Sequence, residues 1–471
     1  MKSNAQVPTS IVIHSDQEKY KMAGGIGASW HAISKDSIDE SSEYEWALRR
    51  SNSRGSAWGG NPTITDTRAW KQIYEYASWL GLSWLRVELS ARMYEPERNQ
   101  FDWNNEEMLA LYKILDWAEA NNADVFLQQM WSNVKWNSYS GVQPLLSAPK
   151  SIDDFAEGIS KLLEHLLINK KYTCIKWVCI TNEPPGGSWG SWWSMGETNA
   201  PLTPALRAVR KALDEKNLKI PLSGPDWTDM PSFDANKIDF DKYIGAYDIH
   251  SYQGIDDVRQ KVLEEWANWA RRQNKPLFLS EIGDMRLGWG DSDPGPKSFQ
   301  AALSNAESIL RGMEVGVSAF NRWSFTNRGD LDGQWQLIRT WDIEKKEFFR
   351  NIEIEPIAFY GFGIITRFFS KNSSVVVTEP INNTDILSQT VISPKGKLTT
   401  YILNKSKLEK TIRLTITGSN NLHFFLYRAI ENEVTRTDFR MDPIREITIM
   451  NGEEIVLKIP AMSINTLTHI N

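Results

Sequence analysis

Short apolar runs recur along most of the chain, and between them apolar residues return every three or four positions. The first pattern is that of fully buried strands, the second that of amphipathic helices. Eight runs qualify as strands, at 24–30, 84–90, 123–131, 175–182, 220–226, 247–252, 276–282 and 318–325. Helical stretches fall between them at 67–80, 106–121, 152–168, 204–216, 258–273 and 298–314. Strands alternating with helices predict an α/β protein with parallel strands joined by crossovers, and eight such units predict a closed (β/α)8 TIM barrel. Several runs also carry charges near their C-terminal ends, as in Trp84-Leu85-Arg86-Val87-Glu88-Leu89. That suits a barrel, whose strands end at the active-site mouth. A doubly wound open sheet is the competing architecture.

The pattern changes after a helical stretch at 356–370, which opens with Pro356 at a first-turn position. Beyond it come β-rich segments at 375–377, 398–403, 411–417, 422–427, 447–450 and 454–459, separated by Asn, Gly, Ser and Lys turns. Their spacing predicts a C-terminal antiparallel β-sandwich. The expected organisation is therefore a catalytic barrel over 20–370 and an accessory sandwich over 371–471. An early strand within 6–19, Ser10-Ile11-Val12-Ile13-His14, is a candidate to join the sandwich.

Composition narrows the function classes. With 471 residues, 41% of them hydrophobic and 24% charged, the chain can bury a large core and is not a disordered segment. A formal charge of -6 without a basic cluster gives no reason to expect a nucleic-acid partner. No apolar stretch approaches a membrane span. The first sixteen residues lack the apolar core of a signal peptide, which reads as cytoplasmic if the chain begins at Met1 and as exported if a leader has been removed. Cys174 and Cys179 sit in one extended apolar stretch, where they are too far apart to bridge. Tryptophan is over-represented, 21 residues or about three times the usual share of roughly 1–2%. Core packing accounts for part of that excess, but Trp189, Trp192 and Trp193 lie among Gly and Ser in a loop-like stretch.

Two carboxyl groups carry the candidate chemistry. In Ile180-Thr181-Asn182-Glu183-Pro184-Pro185-Gly186-Gly187 an apolar strand stops at Asn-Glu, and in Phe278-Leu279-Ser280-Glu281-Ile282-Gly283 a later strand delivers a second carboxyl. Either one alone could be a surface turn or a paired core acid. On the fourth and seventh strands of a barrel of eight they face one mouth, and glycoside hydrolysis needs two such groups flanking the scissile bond.

These strand ends resemble clan A of the glycoside hydrolases, and the Gly24-Gly25-Ile26-Gly27-Ala28-Ser29-Trp30-His31 start with the sandwich ending is most similar to families 30 and 39. The resemblance implies a retaining β-glycoside hydrolase without cofactor, with Glu183 as acid/base and Glu281 as nucleophile. Matching positions imply Arg86 and Tyr252 beside the nucleophile, Asn182 on a sugar hydroxyl, His250 on the same inner face as Tyr252, and Trp323 as the platform beneath the reacting sugar. Trp131, Asn133 and His31 would complete the pocket. The bland readings are a barrel salt bridge for Arg86 and a core position for His250.

Other chemistries find less support. Gly25-Ile26-Gly27 lacks the third glycine of a dinucleotide fingerprint, there is no Walker loop and no Gly-x-Ser-x-Gly elbow, and the six histidines form no metal-binding motif. No metal is expected. Two rivals stay open: a transglycosylase using the same covalent intermediate, and a noncatalytic carbohydrate-binding barrel. The expected partner in each case is carbohydrate.

Overall fold

The computed structural model describes residues 9–32, 59–131, 134–140, 147–184, 193–194, 197–198, 202–326, 334–342, 345, 347–379, 383–419, 422–436 and 438–470. Eight parallel strands close into a barrel: β2 (Ile26–Trp30), β3 (Trp84–Ser90), β4 (Asp124–Trp131), β5 (Ile175–Cys179), β6 (Leu222–Trp227), β7 (Ala246–Ser251), β8 (Leu277–Ile282) and β9 (Val317–Thr326), with β9 pairing back onto β2. These are the eight runs expected from the apolar pattern, shifted by a few residues at some ends. Most are buried along their whole length, because one face fills the barrel and the other lies under the helices.

The crossover helices start where local chemistry lets them. In α1 (Thr67–Leu80), the Asp66 side chain accepts the Ala69 N–H and Gly81 ends the helix in a left-handed conformation. Helices α2 (Glu106–Ala120), α3 (Ile152–Glu164), α5 (Asp257–Arg272) and α6 (Phe299–Val315) are capped by Asn105, Ser151, Asp256 and Ser298. Between α3 and α5 lies α4 (Leu202–Glu215). The stretch expected to be one helix over 152–168 passes at His165 into a π-helical turn, His165–Asn169.

A floor of side chains from six strands closes the barrel interior: Trp84, Phe126, Cys179, Ala246, Phe278 and Ala319. The Trp84 ring lies 5.0 Å from that of Phe278. Above this floor the interior turns polar, which confines the candidate chemistry to the C-terminal mouth. Cys174 and Cys179 are both free and buried.

After the barrel come a hairpin, β10 (Ile338–Asp342) with β11 (Glu347–Ile354), and helix α7 (Pro356–Thr366). The hairpin was not legible in the sequence. The second sheet has nine strands in the order β17-β16-β19-β14-β13-β12-β1-β15-β18, where β1 is Thr9–Lys21, β12 Ser374–Thr378, β13 Ile386–Ile392, β14 Leu398–Asn404, β15 Lys410–Thr417, β16 Leu422–Ala429, β17 Arg445–Ile449, β18 Glu454–Ile459 and β19 Ser463–Thr468. It wraps around its own apolar core, which includes Ile11, Ile13, Ile402, Leu414, Phe424 and Leu467. Strand β1 pairs antiparallel with β12 but parallel with β15, so this mostly antiparallel sheet has one parallel seam.

One close approach fixes the start of the barrel. Gly27 on β2 is paired with Trp84 on β3, and a Cβ at Gly27 would lie 1.6 Å from the Trp84 carbonyl oxygen. Gly27→Ala therefore forces two paired backbones apart. The expected loss is about 3 kcal/mol or more, at the upper end of overpacking costs. A urea midpoint equal to that of the wild type would contradict this.

Candidate active site

The mouth is organised around Arg86, which is fully buried on β3. Its Nη1 makes close ion pairs with Glu88 on the same strand and with Glu281 on β8. Its Nη2 donates to Asn182 Oδ1 at 2.7 Å and lies 3.8 Å from Asp226 Oδ2. The planar guanidinium thus ties together side chains from β3, β8, β6 and the segment after β5, a task suited to a rigid multi-donor fork. Glu281 is also held from β7's end, where the Tyr252 hydroxyl donates to its Oε2 at 2.5 Å.

Glu183 stands four residues beyond the end of β5 in a left-handed conformation, φ 46°. That conformation is uncommon for a residue with a Cβ, and Pro184 follows directly. The carboxylate meets His250 Nδ1 at 2.7 Å, and the same nitrogen is 3.3 Å from Glu281 Oε2. His250 therefore sits between the two acids. One carboxylate oxygen of Glu183, one of Glu281 and a ring nitrogen of His250 all lie within 4.8 Å of one another.

Trp323, on β9, is 5% exposed and has a cis peptide bond to Ser324. The His31 ring meets it edge-on at 4.8 Å between centroids, and the Arg86 guanidinium lies 5.9 Å from its ring. His31 Nδ1 also makes a close contact with Glu88. Arg86, Asn182, Glu183, His250, Tyr252, Glu281, Trp323 and His31 are therefore gathered at one end of the barrel. Asn133, Trp189 and Trp192 lie outside the described residues, as do the side chains of Trp131 and Trp193.

A family model described as cellulase (glycosyl hydrolase family 5) matches residues 40–312, more than half of the chain. The chain belongs to this family of glycoside hydrolases. No curated protein matches it in sequence. Among solved structures it is similar to a family 30 endoxylanase from Clostridium papyrosolvens, with 13% identity, TM-score 0.64, and 98% of this chain and 99% of that one covered. It is also similar to the catalytic domain of a family 30 xylanase C from Talaromyces cellulolyticus, with 12% identity, TM-score 0.65 and coverage of 98% and 99%. A family 51 α-L-arabinofuranosidase from Thermotoga petrophila aligns at 14% identity and TM-score 0.60, with coverage of 98% and 99%. At such identities the likeness is one of fold. Of families 30 and 39, which the start at 24–31 and the sandwich ending resembled, family 30 is represented among these folds, while the matching sequence model is that of family 5.

This glycoside hydrolase buries several acids that composition alone did not single out. Glu88, Asp226 and Asp248 are all fully buried near Arg86 or His250. Glu88 follows Arg86 by two positions and so shares its face of β3, a signal available in the sequence. Asp226 lay at the end of an expected strand, where charges mark the mouth. Asp248, inside an apolar run, gave no such signal.

Burial pushes the Glu281 carboxyl up to about 7, against the opposing pull of Arg86 and His250, and the charges of Glu183 and Glu88 add to the rise. Glu281 is the more enclosed of the two acids, with 5% of its side chain exposed against 12% for Glu183. His250 behaves oppositely. Burial disfavours its charged form, yet Glu281 and Asp226, with a hydrogen bond to Glu183, hold it well above its ordinary value.

Among the described residues, two sets of side chains bring potential metal ligands together, Cys179–Asp226–Asp248 and Glu183–His250–Glu281. In the second set His250 contacts carboxylates with both ring nitrogens, so hydrogen bonding already accounts for its geometry.

If the Glu281 anion is the working form, activity falls as pH drops below about 7, where the carboxyl gains its proton. Arg86→Gln removes the nearest opposing charge and should move that acid limb upward by about 1–3 pH units. The pH dependence of kcat/KM on an aryl glycoside measures it. An unmoved limb would separate Arg86 from the ionisation of Glu281.

Proposed function

We propose that this chain is a retaining β-glycoside hydrolase acting by double displacement on a β-linked oligo- or polysaccharide, with Glu183 as proton donor and later base and Glu281 as nucleophile. The observation that carries the reading is the approach of the two carboxylates, whose nearest atoms lie within 4.8 Å with His250. Retaining enzymes hold the pair at about 5–5.5 Å, whereas inverting enzymes leave roughly 6.5–9.5 Å for a water between them.

In the first step Glu183 gives its proton to the glycosidic oxygen while a Glu281 oxygen bonds to the anomeric carbon, and the aglycone leaves as an alcohol. In the second, Glu183 takes a proton from water, whose oxygen attacks the same carbon and releases Glu281 as a carboxylate. The reaction needs a proton on Glu183 and an anion at Glu281. Arg86 and the Tyr252 hydroxyl both favour the anion on Glu281. Forming the glycosyl ester removes that negative charge, which makes Glu183 the stronger acid and hence able to release and regain its proton in turn.

Trp323 offers a flat face suited to the C–H side of a pyranose, and Asn182 is held beside the two acids by the Arg86 guanidinium. Proteins of similar fold include xylanases and an endo-β1,6-glucanase, which makes β-xylosides and β-glucosides the first substrates to try.

Proton NMR of the first-formed sugar is expected to report the β-anomer, and an α-product at early times would sink the double displacement. Glu183→Gln should lower turnover of a poor leaving group by roughly 10²–10⁴-fold while sparing a dinitrophenyl glycoside in the first step. Equal losses on both substrates would remove Glu183 from proton donation. Ordinary turnover in Glu281→Gln would remove Glu281 as nucleophile.

A further inference from the structure

Asp226, near the end of β6, takes no part in the chemistry above, yet it touches the acid/base side of the mouth in two ways. Its Oδ2 accepts the backbone N–H of Glu183 at 3.2 Å and the Gln128 amide at 2.9 Å. Its Oδ1 lies 3.0 Å from His250 Nε2 and 3.5 Å from Ser280 Oγ. Asp226 itself is in a left-handed conformation, φ 58°, like the Glu183 it holds at φ 46°. Two backbone conformations that each cost on the order of 1 kcal/mol or more thus face each other across one hydrogen bond. Underneath, the Asp226 N–H donates to Asp248 Oδ1 at 3.2 Å, and Ser223 Oγ lies 3.4 Å from Asp248 Oδ2.

We propose that Asp226 is a positioning residue of the hydrolytic site: one carboxylate oxygen fixes the Glu183 main chain, and the other holds the Nε2 edge of His250 so that Nδ1 faces Glu183 and Glu281. This rests on the reading of Glu183 as the acid/base.

The surrounding charges are consistent with that role. His250 meets Glu183 from the segment after β5, Asp226 from β6 and Glu281 from β8, while Arg86 on β3 pairs with Glu281 and approaches Asp226. Both ring nitrogens of His250 face carboxylate oxygens, an environment that suits a doubly protonated imidazolium. Burial works to raise the Asp226 carboxyl, but His250 and Arg86 outweigh it and keep Asp226 below its ordinary range. Asp248 goes the other way, pushed well up by burial and by the charge of Asp226, so of the two neighbours Asp248 holds the proton. Asp226 is left as the fixed anion beneath His250. An orienting carboxylate of this kind acts through the imidazole rather than on the substrate.

The full chain labelled with ¹⁵N-histidine has only six histidines to resolve. Wild-type His250 is expected to keep the imidazolium signature well past the ordinary histidine value of about 6.5. Asp226→Asn keeps the size but removes the anion, so the His250 titration should move down toward that ordinary value. In the same variant, kcat on an alkyl β-glycoside should fall roughly 10²-fold, within what a well-placed acid contributes, with a smaller loss on a dinitrophenyl glycoside and little change in KM. A variant that leaves both the imidazole signal and the leaving-group pattern as in the wild type overturns the proposal. Should Asp226→Asn fail to fold, the wild-type titration still decides, because a His250 that titrates near 6.5 also overturns it. If the wild type cleaves no aryl glycoside while His250 still responds to Asp226→Asn, the hydrolase reading fails and the positioning of the imidazole stands.

Discussion

Crowded negative charge at the barrel mouth is the constraint on which the site depends. Glu88, Asp226 and Glu281 are each buried within reach of one guanidinium, and a buried carboxylate is tolerable only where a charge or strong donor meets it. Arg86 is the partner they share. Because it reaches three acids and one amide from four parts of the barrel, its side chain is a structural tie as well as a source of charge. Arg86 as a barrel salt bridge and Arg86 as partner of the proposed nucleophile are thus descriptions of the same contacts.

His250 divides the remaining work. A second cation between Glu183 and Glu281 relieves their repulsion, but only while the imidazole keeps its charge, and that depends on the acids on either side. The mouth is therefore a set of mutually dependent ionisations rather than two independent acids. Burial drives the Glu281 carboxyl upward while Arg86 and His250 pull against it. A sugar that covers the mouth and excludes water would alter that balance further.

The barrel was largely legible because its strands are short apolar runs with helices between them, and such alternation has few architectures. The ends of the strands announced Glu183 and Glu281. What stayed hidden depends on neighbours distant in sequence. Asp248 lies in Tyr247-Asp248-Ile249, where nothing local tells a protonated core acid from a surface one. The left-handed turn at Glu183 follows from contacts to β6. Strands β13 and β19 escaped notice because Leu-Ser-Gln-Thr and Ser-Ile-Asn-Thr read as turn-like, although their Ser, Thr and Asn side chains are mostly buried in the sheet. The β10–β11 hairpin was masked by the charged stretch Asp342-Ile343-Glu344-Lys345-Lys346-Glu347 between its strands.

Strand β1 has its partners at β12 and β15, some 360 to 400 residues further along. On a ribosome adding about 5–20 residues per second, β1 would wait roughly 20–80 seconds for those partners to exist. Its apolar Ile11 and Ile13, destined for the core of the second sheet, must spend that interval uncovered by their native neighbours. The barrel between them can close in the meantime, so the order of synthesis and the order of assembly part company. Strand β1 is made long before it can be seated.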